Sequence, residues 1–214
     1  VNHEQKFKFG SVGQAVPGVA VKIADDGEIL TKGPHVMKGY YKNPDATAET
    51  IDAESWLHTG DIGFLDDKGY LYITDRKKNI IVTSGGKNVT PSSIENLLIT
   101  SPYIEQVMVI GDKRKFLSAL IVPAFDSLKN SATAKQIQYN TIEDLVNHPA
   151  IYQMIEEDIE RLTADLARFE QIKKFTLLPN EFTIENGEMT PSLKIKRKVI
   201  AEKYADIIDK MYEE

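Results

Sequence analysis

A run of four charged residues, Asp75 to Lys78, separates two parts of the chain with different hydrophobic patterns. Residues 1–75 are rich in glycine and in short β-prone runs separated by Asp-Gly and Lys-Gly turns, which indicates a β-rich unit. Beyond the run, apolar stretches alternate with segments whose apolar residues recur every three or four positions. The sequence therefore predicts an α+β protein: a β-rich part at 1–75, a joint at 76–78, and a compact part at 79–214 with a small sheet flanked by helices. A surface turn within one domain would explain the same charges.

The composition excludes several classes of function. The formal net charge of −6 argues against a general nucleic-acid binder, which needs a basic face. The chain has no cysteine, so disulfides and thiolate metal sites are excluded, and a cytoplasmic location is expected. Its four histidines lack metal-ligand spacing, so no metal site is predicted. No apolar run approaches the roughly 18 residues of a transmembrane helix, which leaves peripheral membrane contact open.

Hydrophobic periodicity predicts individual elements in both parts. Strands are expected at 19–23, 28–31, 70–73, 106–110, 117–122 and 175–178. Helices are expected at 44–51, at 91–100 with a Ser-x-x-Glu capping box from Ser92, in a long stretch after Pro149, and in one final helix carrying apolar residues from Ile195 to Met211.

Besides the charged run Asp75 to Lys78, two short segments carry polar or glycine residues that could bind a ligand. Asp61 follows Thr59 and Gly60, where a tight turn could present a carboxylate to the two hydroxyls of a sugar, although a plain Asx turn is the commoner explanation of an isolated Thr-Gly-Asp segment. Gly85 and Gly86 would form a hairpin turn, and their missing side chains would let an extended ligand pass close to the backbone. The two interpretations of these glycines are compatible.

The fourth segment is a basic cluster, Lys194 to Lys198, at the start of the predicted last helix. Such clusters are often only solvated, but the helix dipole disfavours cations at this end, and an anionic ligand would offset that cost. In chain order, the segments supply a carboxylate for a ribose, a cationic joint, exposed backbone and a lysine for a carboxylate or phosphate. This set suits nucleotide-dependent activation of an acid.

These residues resemble the AMP-binding, adenylate-forming enzymes, and most closely the long-chain acyl-CoA synthetases. The matching motifs are Gly27-Glu28-Ile29-Leu30, Gly39-Tyr40, the Thr-Gly-Asp segment, Asp75 to Lys78, and Pro191 to Arg197, where Leu193 replaces a glycine common in relatives. The resemblance implies an α+β fold in which 1–75 ends a large domain and 79–214 forms a mobile domain.

The resemblance also implies a role for each matched residue. Asp61 would hold the ribose of ATP, Arg76 would support the nucleotide, and Lys78 would be the hinge. Lys194 would catalyse adenylation, and Gly85 and Gly86 would line the tunnel for the pantetheine arm of CoA. The implied reaction is fatty acid, ATP and CoA giving acyl-CoA, AMP and pyrophosphate through an acyl-adenylate.

The resemblance implies further that the phosphate loop, the magnesium ligand and the acyl pocket lie upstream of Val1, in the remainder of the same polypeptide. The chain alone is therefore expected to be inactive. Two alternatives remain open: a related enzyme that passes its acyl group to a carrier protein or another thiol, and a free-standing binding module.

Overall fold

The computed structural model describes residues 1–4 and 6–213, so Gln5 and Glu214 lie outside the description. The chain divides into two compact units, Val1–Ile80 and Ile81–Glu214, and each is described by itself.

The first unit is built on an antiparallel sheet. Within the described residues this sheet has four strands in the order β1-β2-β3-β4. Their bounds are β1 Ala20–Ile23, β2 Glu28–Lys32, β3 Leu57–Leu65 and β4 Leu71–Arg76. Helix α1, Pro44–Thr50, lies between β2 and β3, and the Asn43 side chain caps its N-terminus by accepting the Ala46 N–H. A 3₁₀ turn, Lys77–Asn79, follows β4 directly.

The second unit opens with a short hairpin and continues into a mixed sheet. The strands are β5 Ile81–Val82, β6 Asn88–Val89, β7 Ile104–Ile110, β8 Leu117–Pro123 and β9 Ile172–Leu177. The helices are α2 Pro91–Leu98, α3 Phe125–Ala134, α4 Ile142–Val146, α5 Pro149–Thr163, α6 Arg197–Lys203 and α7 Ala205–Tyr212.

The central strand β8 separates two apolar clusters. It pairs with β7 in antiparallel and with β9 in parallel orientation, and the parallel pair is connected through α3, α4 and α5. Because successive strand residues point to opposite faces, Leu117, Ala119 and Ile121 join the cluster that contains α2 and α5 residues. Leu120 and Val122 join the opposite cluster, which contains residues of α6 and α7.

The expected α+β fold is confirmed, but two helix predictions are wrong in detail. Helix α2 begins at Pro91 with Thr90 as N-cap, so Ser92 is not the capping residue. The predicted last helix is two helices, because Tyr204 leaves the helical conformation and is both the C-cap of α6 and the N-cap of α7. Ile195 precedes both helices.

Within residues 1–4 and 6–213, no helix combines the length and the apolar character needed to cross a membrane.

Candidate functional site

Asp61 lies in a bulge of β3 rather than in the tight turn that the sequence predicted. Residues 28 and 30 of β2 pair with residues 62 and 58 of β3, so β3 carries extra residues at this point. Gly60 has a φ of +69°, which glycine adopts without steric cost. Thr59 Oγ1 donates to the Ile29 carbonyl at 2.7 Å and accepts the Asp61 N–H at 3.1 Å. The bulge therefore holds Asp61 in a defined position.

The structure brings Asp61 and Arg76 together. The two residues are directly opposite each other on β3 and β4, and Arg76 Nε lies 2.8 Å from Asp61 Oδ1. The Arg76 side chain is 59% exposed, while that of Asp61 is 24% exposed, so the carboxylate is the more sheltered partner. Two residues that the resemblance assigned to nucleotide binding thus form one exposed ion pair.

A buried carboxylate, that of Glu28, accepts a hydrogen bond from this bulge, and the sequence interpretation gave Glu28 no role in the site. Glu28 Oε1 accepts the Gly60 N–H at 2.9 Å, while His58 Nδ1 lies 3.0 Å and Lys77 Nζ 2.8 Å from Oε2. Lys77 also pairs with Asp26 at 2.7 Å. Burial alone raises the pKa of the Glu28 carboxyl, but the hydrogen bonds from Lys77, His58 and Gly60 outweigh burial and leave that pKa below its ordinary value. In the sequence, Glu28 directly precedes the apolar residues Ile29 and Leu30, and this position in a predicted strand is the feature that could have indicated its burial.

Lys78 lies in the exposed 3₁₀ turn next to Lys77. The two lysines therefore differ. Lys77 forms ion pairs with Asp26 and Glu28 of the first unit, whereas the Lys78 side chain has no hydrogen bond or ion pair among the described residues.

Gly85 and Gly86 form the predicted hairpin turn between β5 and β6. The Gly86 N–H donates to the Thr83 carbonyl at 2.9 Å, and Gly86 has a φ of +73°, so the turn itself requires glycine there. Gly85 is different, because its φ lies outside the left-handed region and a Cβ built on it would meet nothing closer than Thr83 Oγ1 at 4.0 Å. The fold of the described residues therefore places no demand for glycine at position 85.

Lys194 lies on a tight hairpin that precedes α6. The Thr190 N–H donates to the Lys194 carbonyl at 2.8 Å, the Lys194 N–H donates to Thr190 Oγ1 at 3.0 Å, and Met189 pairs with Ile195. Leu193 has a φ of +59°, a left-handed conformation that favours glycine. The Lys194 side chain is exposed, and among residues 1–4 and 6–213 its ammonium has no hydrogen bond or ion pair.

The basic cluster that contains Lys194 is only partly unpaired. Arg197, in the first turn of α6, forms an ion pair with Glu95 of α2, and its Nη1 donates to the Val109 carbonyl at 3.1 Å. A carboxylate of the protein thus offsets the cost of Arg197 at the helix N-terminus. Among the described residues, no hydrogen bond joins this segment to the glycine turn at 85–86.

Residues 78–214 match the family of the AMP-binding enzyme C-terminal domain. The chain belongs to this family. A similar curated protein is a long-chain-fatty-acid–CoA ligase of Mycobacterium tuberculosis, 43% identical over 211 residues that cover 96% of this chain and 34% of the relative. The chain therefore spans about a third of the length of the curated relatives it matches.

Solved structures agree with the family assignment. The A domain of a carboxylic acid reductase from Segniliparus rugosus, in complex with AMP and a co-purified carboxylic acid, has a TM-score of 0.74 at 24% identity and shares the fold over 93% of this chain and 32% of that chain. O-succinylbenzoate coenzyme A synthetase from Bacillus subtilis, in complex with AMP, has a TM-score of 0.59 at 27% identity, over 89% of this chain and 35% of that chain. The AMP-binding fold predicted from the motifs is thereby confirmed.

Proposed function

We propose that these residues are the C-terminal part of an ATP-dependent long-chain fatty-acid–CoA ligase. The enzyme would convert a fatty acid and ATP into an acyl-adenylate and pyrophosphate, and CoA would then take the acyl group and release AMP. Support comes from the family match and from a relative named as such a ligase. A CoA synthetase with bound AMP, 27% identical, supports the nucleotide assignment.

The observation that carries this proposal is the exposed ammonium of Lys194 on an ordered hairpin, with no partner among the described residues. During adenylation, negative charge accumulates where the carboxylate of the acid meets the α-phosphate of ATP. A cation held at that point stabilises the transition state more than the separated reactants. Lys194 is therefore the catalytic residue that we assign to the first half-reaction.

In the proposed site, Asp61 binds the ribose. One of its oxygens, Oδ1, forms the ion pair with Arg76 Nε, while Oδ2 receives no hydrogen bond from the described residues. A carboxylate with an available oxygen accepts hydrogen bonds from sugar hydroxyls, and charge-assisted bonds of this kind are among the stronger ones. Arg76 is mostly exposed, so its guanidinium can support the nucleotide while it keeps Asp61 in place.

The remaining assigned residues are Gly85, Gly86 and Lys78, of which the two glycines are proposed to serve the second half-reaction. Gly85 leaves the backbone uncovered at a position where the fold has room for a Cβ, which suits the passage of the pantetheine arm of CoA beside Gly85 and Gly86. Lys78, exposed and without an ion pair among the described residues, is proposed as the hinge. One mobile domain that pivots there could serve both half-reactions.

Magnesium would neutralise phosphate charge when bound with ATP. Within the described residues, no group of three or more His, Cys, Asp or Glu side chains could hold a metal ion. We assign no step of this chain's residues to the metal, whose ligand is proposed to lie upstream in the same polypeptide. The proposed location is cytoplasmic, with peripheral contact to the membrane that supplies the fatty acid.

The test compares the 214-residue chain with the longer polypeptide that carries it, each supplied with ATP, magnesium, CoA and palmitate. The longer protein should form palmitoyl-CoA and AMP, and the chain alone should show no turnover above a protein-free control, because it lacks the proposed phosphate loop and acyl pocket. If palmitate-dependent AMP release requires a carrier protein rather than CoA, the acyl acceptor in this proposal is a carrier protein and not CoA. Absence of palmitate-dependent pyrophosphate exchange in the longer protein would contradict the proposal.

A further inference from the structure

The hairpin that presents Lys194 is closed at its base by Glu188. The Glu188 carbonyl accepts the Lys196 N–H at 2.8 Å, so the two ends of the segment are joined through its backbone. The Glu188 side chain is 0% exposed, although it carries a carboxylate. Burial of an ionised group is unfavourable unless that group is paired, so its contacts indicate what it holds in place.

The buried carboxylate of Glu188 links chain segments on both sides of the hairpin. Its Oε2 accepts the Thr183 N–H at 3.2 Å, before the hairpin. Its Oε1 lies 2.8 Å from Lys203 Nζ and 3.4 Å from the Tyr204 hydroxyl, at the end of α6. One side chain therefore fixes the entry to the hairpin against the helix that follows it.

A second carboxylate anchors the exit of the hairpin to the sheet. Glu95 of α2 pairs with Arg197, and its Oε1 accepts the Val109 N–H at 2.7 Å, while Arg197 Nη1 donates to the Val109 carbonyl. The edge of β7, helix α2 and the first turn of α6 meet at this point. Neither Glu95 nor Glu188 belongs to the residues that the sequence interpretation assigned to the site.

We propose that Glu188 and Glu95 are positioning residues for Lys194 in the adenylation half-reaction. This inference rests on the proposed function. The Lys194 ammonium has no contact of its own among the described residues, so its location is set by the backbone of the hairpin, and both ends of that backbone are held by a carboxylate. Misplacement of a catalytic group by about 1 Å reduces a rate by roughly a hundredfold.

The test measures both half-reactions in the longer polypeptide that carries this chain, with Glu188→Gln and Glu95→Gln. Each amide keeps the size of the side chain and an acceptor oxygen but removes the charge that holds Lys203 or Arg197. We expect acid-dependent pyrophosphate exchange to fall by about 10- to 100-fold, and thioester formation from supplied acyl-adenylate to change by less than about threefold. Tryptic cleavage after Lys194 in the folded chain should accelerate, because the hairpin opens locally more often.

Asp158→Asn is the matched control. Asp158 is also a buried carboxylate of the second unit, 8% exposed. It pairs with Arg161 within α5 and forms no hydrogen bond to the described residues of the hairpin. This variant should affect both half-reactions equally and leave the cleavage after Lys194 unchanged. If Asp158→Asn produces the same imbalance between half-reactions, loss of a buried charge in general is responsible and the positioning role is overturned.

Lys194→Ala separates failure of this inference from failure of the proposed function. If Lys194→Ala selectively slows adenylation while the Glu188 and Glu95 variants slow both half-reactions equally or neither, the positioning role alone is wrong. If Lys194→Ala leaves adenylation unchanged, the proposed catalytic role fails and the positioning role fails with it. Because Glu188→Gln could impair folding, Glu95→Gln provides an independent variant at the other end of the segment, and the melting temperature of each is recorded.

Discussion

The Asp61 region and the Lys194 region both carry charges assigned to the nucleotide reaction, but the protein holds them in opposite ways. Around Asp61 the charges are matched: Arg76 pairs with Asp61, and Lys77 pairs with Asp26 and Glu28. At Lys194 the backbone is fixed by hydrogen bonds, while the ammonium is left without a partner among the described residues.

In the proposed function, this difference corresponds to a lasting binding role for Asp61 and a temporary catalytic role for Lys194. The backbone hydrogen bonds of the bulge and the ion pair with Arg76 position the Asp61 carboxylate before a nucleotide binds. An ammonium held only through its backbone has no internal ion pair to break before it engages a substrate. The comparison predicts that Asp61 contributes to both half-reactions and Lys194 to one.

The largest expected effect is that of Lys194→Ala on adenylation. Acid-dependent pyrophosphate exchange should fall by roughly two to three orders of magnitude, about 3–4 kcal/mol, as is typical for the loss of one preorganised electrostatic contact. Lys198→Ala, which removes an exposed lysine four residues later, is the control and should change the rate by less than about twofold. Equal losses in both variants would mean that general positive charge, and not Lys194, is responsible.

Asp61→Asn should have the next largest effect, and it should be felt in both half-reactions. Loss of charge-assisted hydrogen bonds to the ribose corresponds to about 1.5–3 kcal/mol, or roughly 10- to 100-fold in the KM for ATP and in the affinity for the acyl-adenylate. Asp67→Asn, at an exposed position in the turn between β3 and β4, serves as the control. If Asp61→Asn affects only one half-reaction, Asp61 does not differ from Lys194 in the way that the comparison predicts.

Acidification should weaken the first unit through Glu28. Because the pKa of Glu28 is below its ordinary value of 4.5, its stabilisation is present above that value and is lost as the pH falls through the lowered pKa. Glu28→Gln should reduce the free energy of unfolding by about 1–2 kcal/mol at neutral pH, with a smaller difference from the native protein at pH 3. Trp56, the single tryptophan, lies in the first unit and reports this by fluorescence during urea titration. A difference that does not depend on pH would contradict the ionised state of Glu28.

The smallest expected effect is that of Leu193→Gly on the second unit. Leu193 has a positive φ and is 68% exposed, so glycine relieves backbone strain while little apolar contact is lost. The strain of about 1–2 kcal/mol is partly offset by the greater entropy of glycine in the unfolded chain, so stability should be unchanged or rise by up to about 1 kcal/mol. Leu193→Val should be destabilising in the same thermal denaturation series, since a β-branched residue tolerates this conformation poorly. Greater stability of the valine variant would contradict the left-handed conformation.

The motifs predicted the fold class and the family because they depend on local spacing, which the sequence displays directly. The hairpin at Gly85 and Gly86 and helix α1 at Pro44 follow from turn and capping preferences of neighbouring residues. The assigned roles of Asp61, Arg76, Lys78 and Lys194 stay predictions, as do the domain bounds at 76–78.

The partners of buried charges could not be predicted, because they are set by tertiary contacts between residues far apart in the chain. Glu28 and Lys77 are 49 positions apart, and Glu95 and Arg197 are 102 positions apart. The bulge at Gly60 depends on strand register, and the break at Tyr204 does not show in the apolar periodicity of the last segment.

The most direct test of the account supplies palmitoyl-adenylate and CoA to Lys194→Ala in the longer polypeptide and measures thioester formation in a single turnover. The account predicts a rate within about threefold of the native enzyme, because the lysine serves only the first half-reaction. Gly85→Trp, at a position where a Cβ would meet nothing closer than 4.0 Å, should show the reverse, with thioester formation slowed and pyrophosphate exchange retained. If Lys194→Ala slows thioester formation as strongly as it slows pyrophosphate exchange, Lys194 does not serve the first half-reaction alone. Lys194 then has a structural role in the second unit.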